Sequence, residues 1–173
     1  NAGKSSLFNL ILREERAIVA PEPGTTRDWI EAEVDLDGIP ARLVDTAGIR
    51  EAEGTVEAEG VARSLRLAAE AEAVVYLVDC AVGLAAEDEA FLERRPDAVR
   101  VWSKCDSSAR LSAPAGFVAA SAATGEGLRA LLAAVARALE AAAGAAPDGA
   151  AASRDGPPAE REVLVASERQ KRL

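Results

Sequence analysis

The 173-residue sequence contains no histidine, and this absence excludes several kinds of active site. Histidine-based triads and most zinc sites need an imidazole, so neither is expected. The two cysteines, Cys80 and Cys105, suggest neither a metal cluster nor a disulfide framework. The plain interpretation is a protein of a reducing cytosol, and we therefore expect a cytoplasmic location.

Aromatic residues are also scarce, and negative charges outnumber positive ones. Phe, Trp and Tyr make up 3% of the chain, so a core must be built mainly from Leu, Val and Ile. The formal net charge is -9, and an acidic chain repels phosphate backbones, so we expect no direct grip on RNA or DNA. No apolar run reaches the length that spans a bilayer, and no membrane contact is expected.

Segments with strand periodicity alternate with helical segments along the chain. The predicted helices cover residues 4–13, 56–71, 86–95 and 126–143. The predicted strands cover residues 29–37, 39–45, 73–79, 98–103 and 116–120. This alternation predicts an α/β fold with a mostly parallel sheet and helices on both faces. Asp37-Gly38 favours a tight turn, and hence one antiparallel hairpin at the sheet edge.

Composition divides the chain into three predicted parts. Residues 1–143 carry the alternating pattern and are expected to form one domain. Residues 144–159 are rich in Ala, Gly, Pro and Asp and are predicted to be a flexible linker. Residues 160–173 regain helical character and are expected to begin a helical domain.

The chain opens with Asn1-Ala2-Gly3-Lys4-Ser5, the second half of a phosphate-binding loop. In such a loop, backbone N–H groups surround phosphate oxygens, and the following helix points its positive end at the anion. Lys4 is predicted to neutralise the terminal two phosphates, and Ser5 to bind Mg²⁺. The preceding strand would lie before Asn1, so we expect a P-loop GTPase fold whose first strand is missing from this chain. Alone, this signal more often marks a capped helix start.

Two further segments have the chemistry of elements that sense a third phosphate. Pro23-Gly24-Thr25-Thr26-Arg27-Asp28 precedes the hairpin, and a threonine there can reach Mg²⁺ when the γ-phosphate holds the loop. At the end of an apolar strand, Asp45 can hold a magnesium-bound water, and the N–H of Gly48 can donate to the γ-phosphate. Each alone is also typical of an ordinary turn. Together they predict a nucleotide-dependent switch.

Two loops after later strands have the chemistry of guanine recognition. The Asp106 carboxylate can accept hydrogen bonds from N1 and N2 of guanine, a donor pair that adenine lacks. Lys104 would lie along the base plane, and a backbone N–H of Ser121-Ala122-Ala123 can meet guanine O6. Four such elements in one order, each at a strand end, predict a GTPase that binds GTP and GDP.

The order of these motifs resembles the G domain of the MnmE (TrmE) family of tRNA-modification GTPases. The resemblance covers residues 1–143 and rests on Asn1-Ala-Gly-Lys-Ser-Ser, Pro23-Gly-Thr-Thr-Arg-Asp, Asp45-Thr-Ala-Gly-Ile-Arg and Val56-Glu-Ala-Glu-Gly. It implies Mg²⁺-dependent, K⁺-activated GTP hydrolysis that drives a conformational switch in the modification of the tRNA wobble uridine. It also implies an MnmG-type flavoprotein partner, a G-domain homodimer in the full-length protein, and tRNA binding through other domains.

The resemblance further implies roles for single residues. Thr26 matches the switch threonine on Mg²⁺, and Glu57 matches the glutamate that orients the attacking water, so the expected catalytic residues are Glu57, Lys4 and Gly48. Asn1 matches a K⁺ ligand, and backbone carbonyls at Ala20 and Glu22 complete that cation site. The expected nucleotide contacts are Asn1, Ala2, Gly3, Lys4, Ser5, Ser6, Thr25, Thr26, Asp45, Gly48, Ser103, Lys104, Asp106, Ser121, Ala122 and Ala123.

Ser103 departs from the family pattern, because the family's base motif has Asn at this position. We therefore expect the loss of one bond to guanine and of one tie to the phosphate loop. Two alternative functions stay open. One is a translational or ribosome-assembly GTPase of the Der or Era type, which shares a Pro-Gly-Thr-Thr-like loop. The other is a non-hydrolysing guanine-nucleotide-binding module, which only Ser103 and the truncated phosphate loop support.

Overall fold

The computed structural model describes residues 2–14, 30–36, 38–45, 69–145 and 161–166. The helices whose bounds it gives are α1 (Lys4–Glu14), α2 (Ala86–Arg94) and α3 (Leu128–Ala145). The strands are β1 (Ile30–Leu36), β2 (Ile39–Asp45), β3 (Ala73–Asp79), β4 (Val99–Ser103), β5 (Phe117–Ala119) and β6 (Arg161–Ala166). Within the described ranges, no helix is both long and apolar enough to cross a bilayer.

The strands form one sheet in the order β1-β2-β6-β3-β4-β5. β1 and β2 pair antiparallel with Leu36 opposite Ile39, and all other neighbours are parallel. The turn between β1 and β2 contains Gly38 at a φ of 89°, a left-handed conformation that glycine adopts without steric cost. The prediction of a mostly parallel sheet with one antiparallel edge hairpin is therefore confirmed.

Apolar side chains cover both faces of the sheet. Successive residues of a strand point to opposite faces, so Val75 and Leu77 of β3 join one core while Val74 and Tyr76 join the other. The first core lies under α1 and α3, and the second lies under α2. In the second core, the rings of Tyr76 and Phe91 stack with centroids 4.4 Å apart. Helices on both faces were predicted, and this is confirmed.

The helical character predicted for residues 160–173 is wrong for residues 161–166, which form β6. β6 pairs in parallel with β2 on one side and β3 on the other, third in the order of six strands. Val163, Leu164 and Val165 are each 0% exposed. Three consecutive buried apolar residues suit a strand with both faces covered, and a short apolar run does not by itself distinguish helix from strand. Residues 161–166 form a strand and not a helix because they lie between β2 and β3, where both edges of the segment have a strand to pair with.

Other predicted elements agree with the structure to within a few residues. The predicted strand 73–79 coincides with β3, and the predicted helix 126–143 corresponds to α3, which extends to Ala145. Residues 56–68 of one predicted helix and residues 146–159 of the predicted linker lie outside the described residues. The division of the chain into three domains stays a prediction.

Candidate nucleotide-binding site

A cavity of about 600 Å³ opens between the start of α1 and the carboxyl-terminal parts of the parallel strands β3 and β4. Its volume lies within the roughly 300–1,000 Å³ that small-molecule sites occupy. The cavity is lined by Ala2, Gly3, Ser6, Leu7, Leu77, Val101, Ser103, Lys104, Asp106, Ser107, Ser108, Ala120, Ala122 and Ala123. Phosphate-loop and base-motif residues that are far apart in the sequence thus share one cavity, at the sheet edge where open α/β folds bind ligands.

The phosphate-loop end of the cavity is formed by the turn that leads into α1. Gly3 has a φ of 88°, and the N–H of Leu7 donates to its carbonyl at 2.9 Å, so the helix begins directly after the glycine. Lys4 is partly exposed, Ser5 and Ser6 are exposed, and Leu7 is buried against the sheet. The first N–H groups of a helix and its dipole favour an anion at this position. The geometry suits a phosphate group.

Ser103 joins the base motif to the phosphate loop. Its hydroxyl oxygen lies 2.8 Å from the carbonyl oxygen of Ala2 and 3.0 Å from that of Val78, and the residue is only 7% exposed. The tie to the phosphate loop that was expected to be lost is therefore present, made by a hydroxyl in place of an amide. A hydroxyl carries a single hydrogen, so the two carbonyls share one donor, whereas an asparagine amide has two.

Asp106 lines the cavity and is held by Ser121. The Ser121 hydroxyl donates to one carboxylate oxygen at 2.5 Å and accepts from the N–H groups of Ala123 and Thr124, each at 3.2 Å. Ser121 was predicted to contact the nucleotide, but it is 1% exposed and its own N–H donates to Glu126 at 2.9 Å. Ser121 thus holds Asp106 in place and does not itself face the cavity, because it is buried and both of its donors bond within the protein.

Lys104 stands at the end of β4 with a φ of 62°. Its ammonium group pairs with Asp79 at 2.7 Å, and its carbonyl accepts from the N–H of Ser107 at 2.9 Å and the thiol of Cys80 at 3.0 Å. Partial burial pulls the pKa of Asp79 upward, but the hydrogen bonds from Lys104 and the Ala81 N–H, with the charge of Lys104, outweigh it. The pKa of Asp79 is therefore lower than usual, and the carboxylate is charged at neutral pH.

Sequence reasoning missed Asp79. It ended a predicted strand at this residue but gave the side chain no role. The signal was a carboxylate directly after an apolar strand, the same signal that singled out Asp45. Cys80, which follows, was noted only for its lack of metal-site spacing. Burial raises the pKa of the Cys80 thiol, which therefore keeps the proton that it donates to Lys104.

Several predicted site residues fall outside the description. Asp45 ends β2, and its side chain lies outside the part of the chain that the structure describes. The described residues include no cluster of three or more His, Cys, Asp or Glu side chains that could hold a metal ion. The exposed Ser5 hydroxyl at the start of α1 is a hard oxygen donor, the kind that suits Mg²⁺. The predicted site residues that lie wholly outside the described ranges are Asn1, Ala20, Glu22, Thr25, Thr26, Gly48 and Glu57.

Comparison with known proteins identifies GTPases. A family model described as "50S ribosome-binding GTPase" matches residues 1–104. The tRNA modification GTPase MnmE of Parvibaculum lavamentivorans is 46% identical over 136 residues, covering 79% of this chain and 30% of that protein. MnmE of Treponema pallidum (strain Nichols) is 55% identical over 92 residues, covering 53% and 19% respectively. MnmE of Thermus thermophilus is 61% identical over 79 residues, covering 46% and 18%.

The chain thus spans less than a third of the length of these three relatives. Among solved structures, the G domain of the T. maritima FeoB iron transporter is similar, with a TM-score of 0.52. It is 22% identical, and the match covers 80% of this chain and 92% of that one, which establishes a shared fold. The predicted fold class, GTPase class and resemblance to the MnmE G domain are confirmed.

Proposed function

Because the chain belongs to the family of 50S ribosome-binding GTPases, we propose that it is the GTPase domain of a tRNA-modification enzyme of the MnmE type. The observation that carries the proposal is the shared cavity. Gly3 of the phosphate loop and Asp106 of the base motif both line this cavity. The chain is also 46% identical to an MnmE over 136 residues. GTP hydrolysis then drives a conformational switch in modification of the wobble uridine.

Different residues of the site bind the guanine base and the phosphates of GTP. Asp106 accepts from N1 and N2 of guanine, and the backbone near Ala122 and Ala123 lies at the same end. At the other end, the turn at Gly3 brings backbone close to the phosphates, and Lys4 balances their charge. Binding therefore couples the base loop to the start of α1, because Ser103 joins the two.

The metal ligands and the water-positioning group follow from the family resemblance. Ser5 and Thr26 would hold Mg²⁺, which supplies charge neutralisation on the phosphates. The Asn1 side chain and carbonyls at Ala20 and Glu22 would hold K⁺. The remaining residues assigned to the nucleotide and to hydrolysis are Thr25, Asp45, Gly48 and Glu57. Of these, Gly48 would donate to the γ-phosphate, and Glu57 would aim the attacking water.

The partners of the full-length protein belong to the same proposal. A chain with a net charge of -9 is poorly suited to bind tRNA directly, so tRNA contact is assigned to other parts of the protein. An MnmG-type flavoprotein and a second copy of the G domain are the proposed protein partners, and the cytoplasm is the proposed location.

We expect the full-length protein to restore tRNA modification in a bacterial strain that lacks MnmE. Mass spectrometry of tRNA nucleosides should detect the modified wobble uridine in complemented cells and its loss in the empty strain. Complementation should fail with a Lys4→Ala variant, which removes the phosphate-neutralising charge. Unchanged tRNA nucleosides in this strain, together with rescue of a second strain that is defective in ribosome assembly, would instead favour a GTPase of the Der or Era type.

GTP turnover by the full-length protein should rise about tenfold or more when Na⁺ is replaced by K⁺, because a cation beside the phosphates offsets charge in the transition state. The measurement is steady-state phosphate release at constant ionic strength. Asn1→Ala is the matched variant, and it should turn over GTP at the same low rate in both salts. Equal rates for the parent in both salts would contradict the K⁺ assignment.

A further inference from the structure

The Asp79–Lys104 pair connects two strand ends at the nucleotide edge of the sheet. The ammonium of Lys104 lies 2.7 Å from one carboxylate oxygen of Asp79, and the other carboxylate oxygen accepts from the N–H of Ala81 at 3.0 Å. The Asp79 side chain is 16% exposed and that of Lys104 is 44% exposed. One carboxylate oxygen therefore caps the turn after β3, and the other holds the lysine.

The backbone of Lys104 is fixed in a conformation that non-glycine residues seldom adopt. Its φ of 62° lies in the left-handed region, which a non-glycine residue keeps only where the surroundings over-determine it. The N–H of Ser107 and the thiol of Cys80 both donate to its carbonyl, and Asp79 holds its side chain. The residue is thus restrained at both the backbone and the ammonium.

The restrained side chain runs beside the phosphate loop. A Cβ built on Gly3 would lie 3.7 Å from Cε of Lys104, which is ordinary van der Waals contact. The methylene stem of Lys104 therefore passes close to Gly3 on its way to Asp79, and both Gly3 and Lys104 line the cavity. Without the carboxylate, Lys104 would lose the ion pair that holds its ammonium group at the end of this path.

We propose that Asp79 is a positioning residue for guanine-nucleotide binding, acting through Lys104. It holds the lysine stem against the cavity wall before the nucleotide arrives, so binding does not have to order a long flexible side chain. This inference rests on the proposed guanine-nucleotide function of the cavity. Because Asp79 acts through Lys104 of the base motif, its effect should fall on affinity and not on the rate of the chemical step.

The test is Asp79→Asn in the full-length protein, since the amide oxygen can still cap the Ala81 N–H while the charge is lost. Asp97→Asn is a matched control, because Asp97 also forms an ion pair, with Arg95 at 2.7 Å, and lies ahead of β4, away from the cavity. Fluorescent GDP titration gives the Kd, and phosphate release at saturating GTP gives kcat. Both are repeated in a Lys104→Met background.

We expect Asp79→Asn to raise the Kd about threefold to fivefold, the upper part of the range for one partly exposed ion pair, and to change kcat less than about twofold. Asp97→Asn should leave the Kd unchanged. In the Lys104→Met background, Asp79→Asn should add less than about a twofold change, because its partner is gone. An unchanged Kd, or an equal loss in both backgrounds, overturns the positioning role. A parent protein that binds no GDP overturns the proposed function itself.

Discussion

Asp106→Asn should weaken GTP binding by about 100-fold or more, because a site built to pair with specific donors rejects a mismatch strongly. The Asp106 carboxylate provides an acceptor for each of the two guanine donors. One carboxylate oxygen of Asp106 accepts from the Ser121 hydroxyl at 2.5 Å, and in the variant the amide oxygen of asparagine can take over this bond. The NH₂ group would then face the cavity and meet the guanine donors with another donor.

The same variant should prefer xanthosine triphosphate, since xanthine carries a carbonyl where guanine carries the N2 amino group. The measurement is a titration of the parent and the variant with GTP and with xanthosine triphosphate. Asp97→Asn makes the same chemical change on the surface ahead of β4 and should keep the parent's preference. A variant at Asp106 that still preferred GTP would show that the base is read elsewhere.

Gly127→Ala should lower the free energy of unfolding by more than about 3 kcal/mol, enough to unfold a marginally stable domain. Gly127 lies between the base loop and α3 with a φ of 77°. A Cβ there would stand 1.9 Å from the carbonyl oxygen of Ala119, a backbone atom that ends β5. The clash can be relieved only by moving the strand end or the loop, and the bond from the Ser121 N–H to the Glu126 carbonyl lies in that loop.

Gly125→Ala is the control for this prediction. Gly125 has a φ of 79°, but a Cβ there would meet nothing within 4 Å. It should therefore cost only the left-handed backbone penalty, about 1 kcal/mol. Urea denaturation of both variants separates the two contributions, since they share the backbone conformation and differ in the clash. Equal losses for the two variants would mean that the close approach to β5 does not limit stability.

The sequence alone determined the features that depend on local chemistry. The seven-residue run of β3 was predicted with its bounds because a short apolar run ending in a polar residue is typical of a buried parallel strand. Asp37-Gly38 predicted the hairpin because few other dipeptides suit so tight a turn. Gly3 of the phosphate loop and Asp106 of the base motif were predicted to share a site, since residues at the ends of parallel strands lie at one edge of the sheet, and both line the cavity.

Only the tertiary structure decided which neighbours these residues have. The run Val163-Leu164-Val165 is compatible with helix or strand, and the space between β2 and β3 makes it a strand. Ser103 was expected to lose its tie to the phosphate loop, yet Ala2 comes close enough for a hydroxyl to reach. Asp79 and Lys104 are separated along the chain and meet only because β3 and β4 are adjacent. Such contacts depend on strand order, which no local pattern encodes.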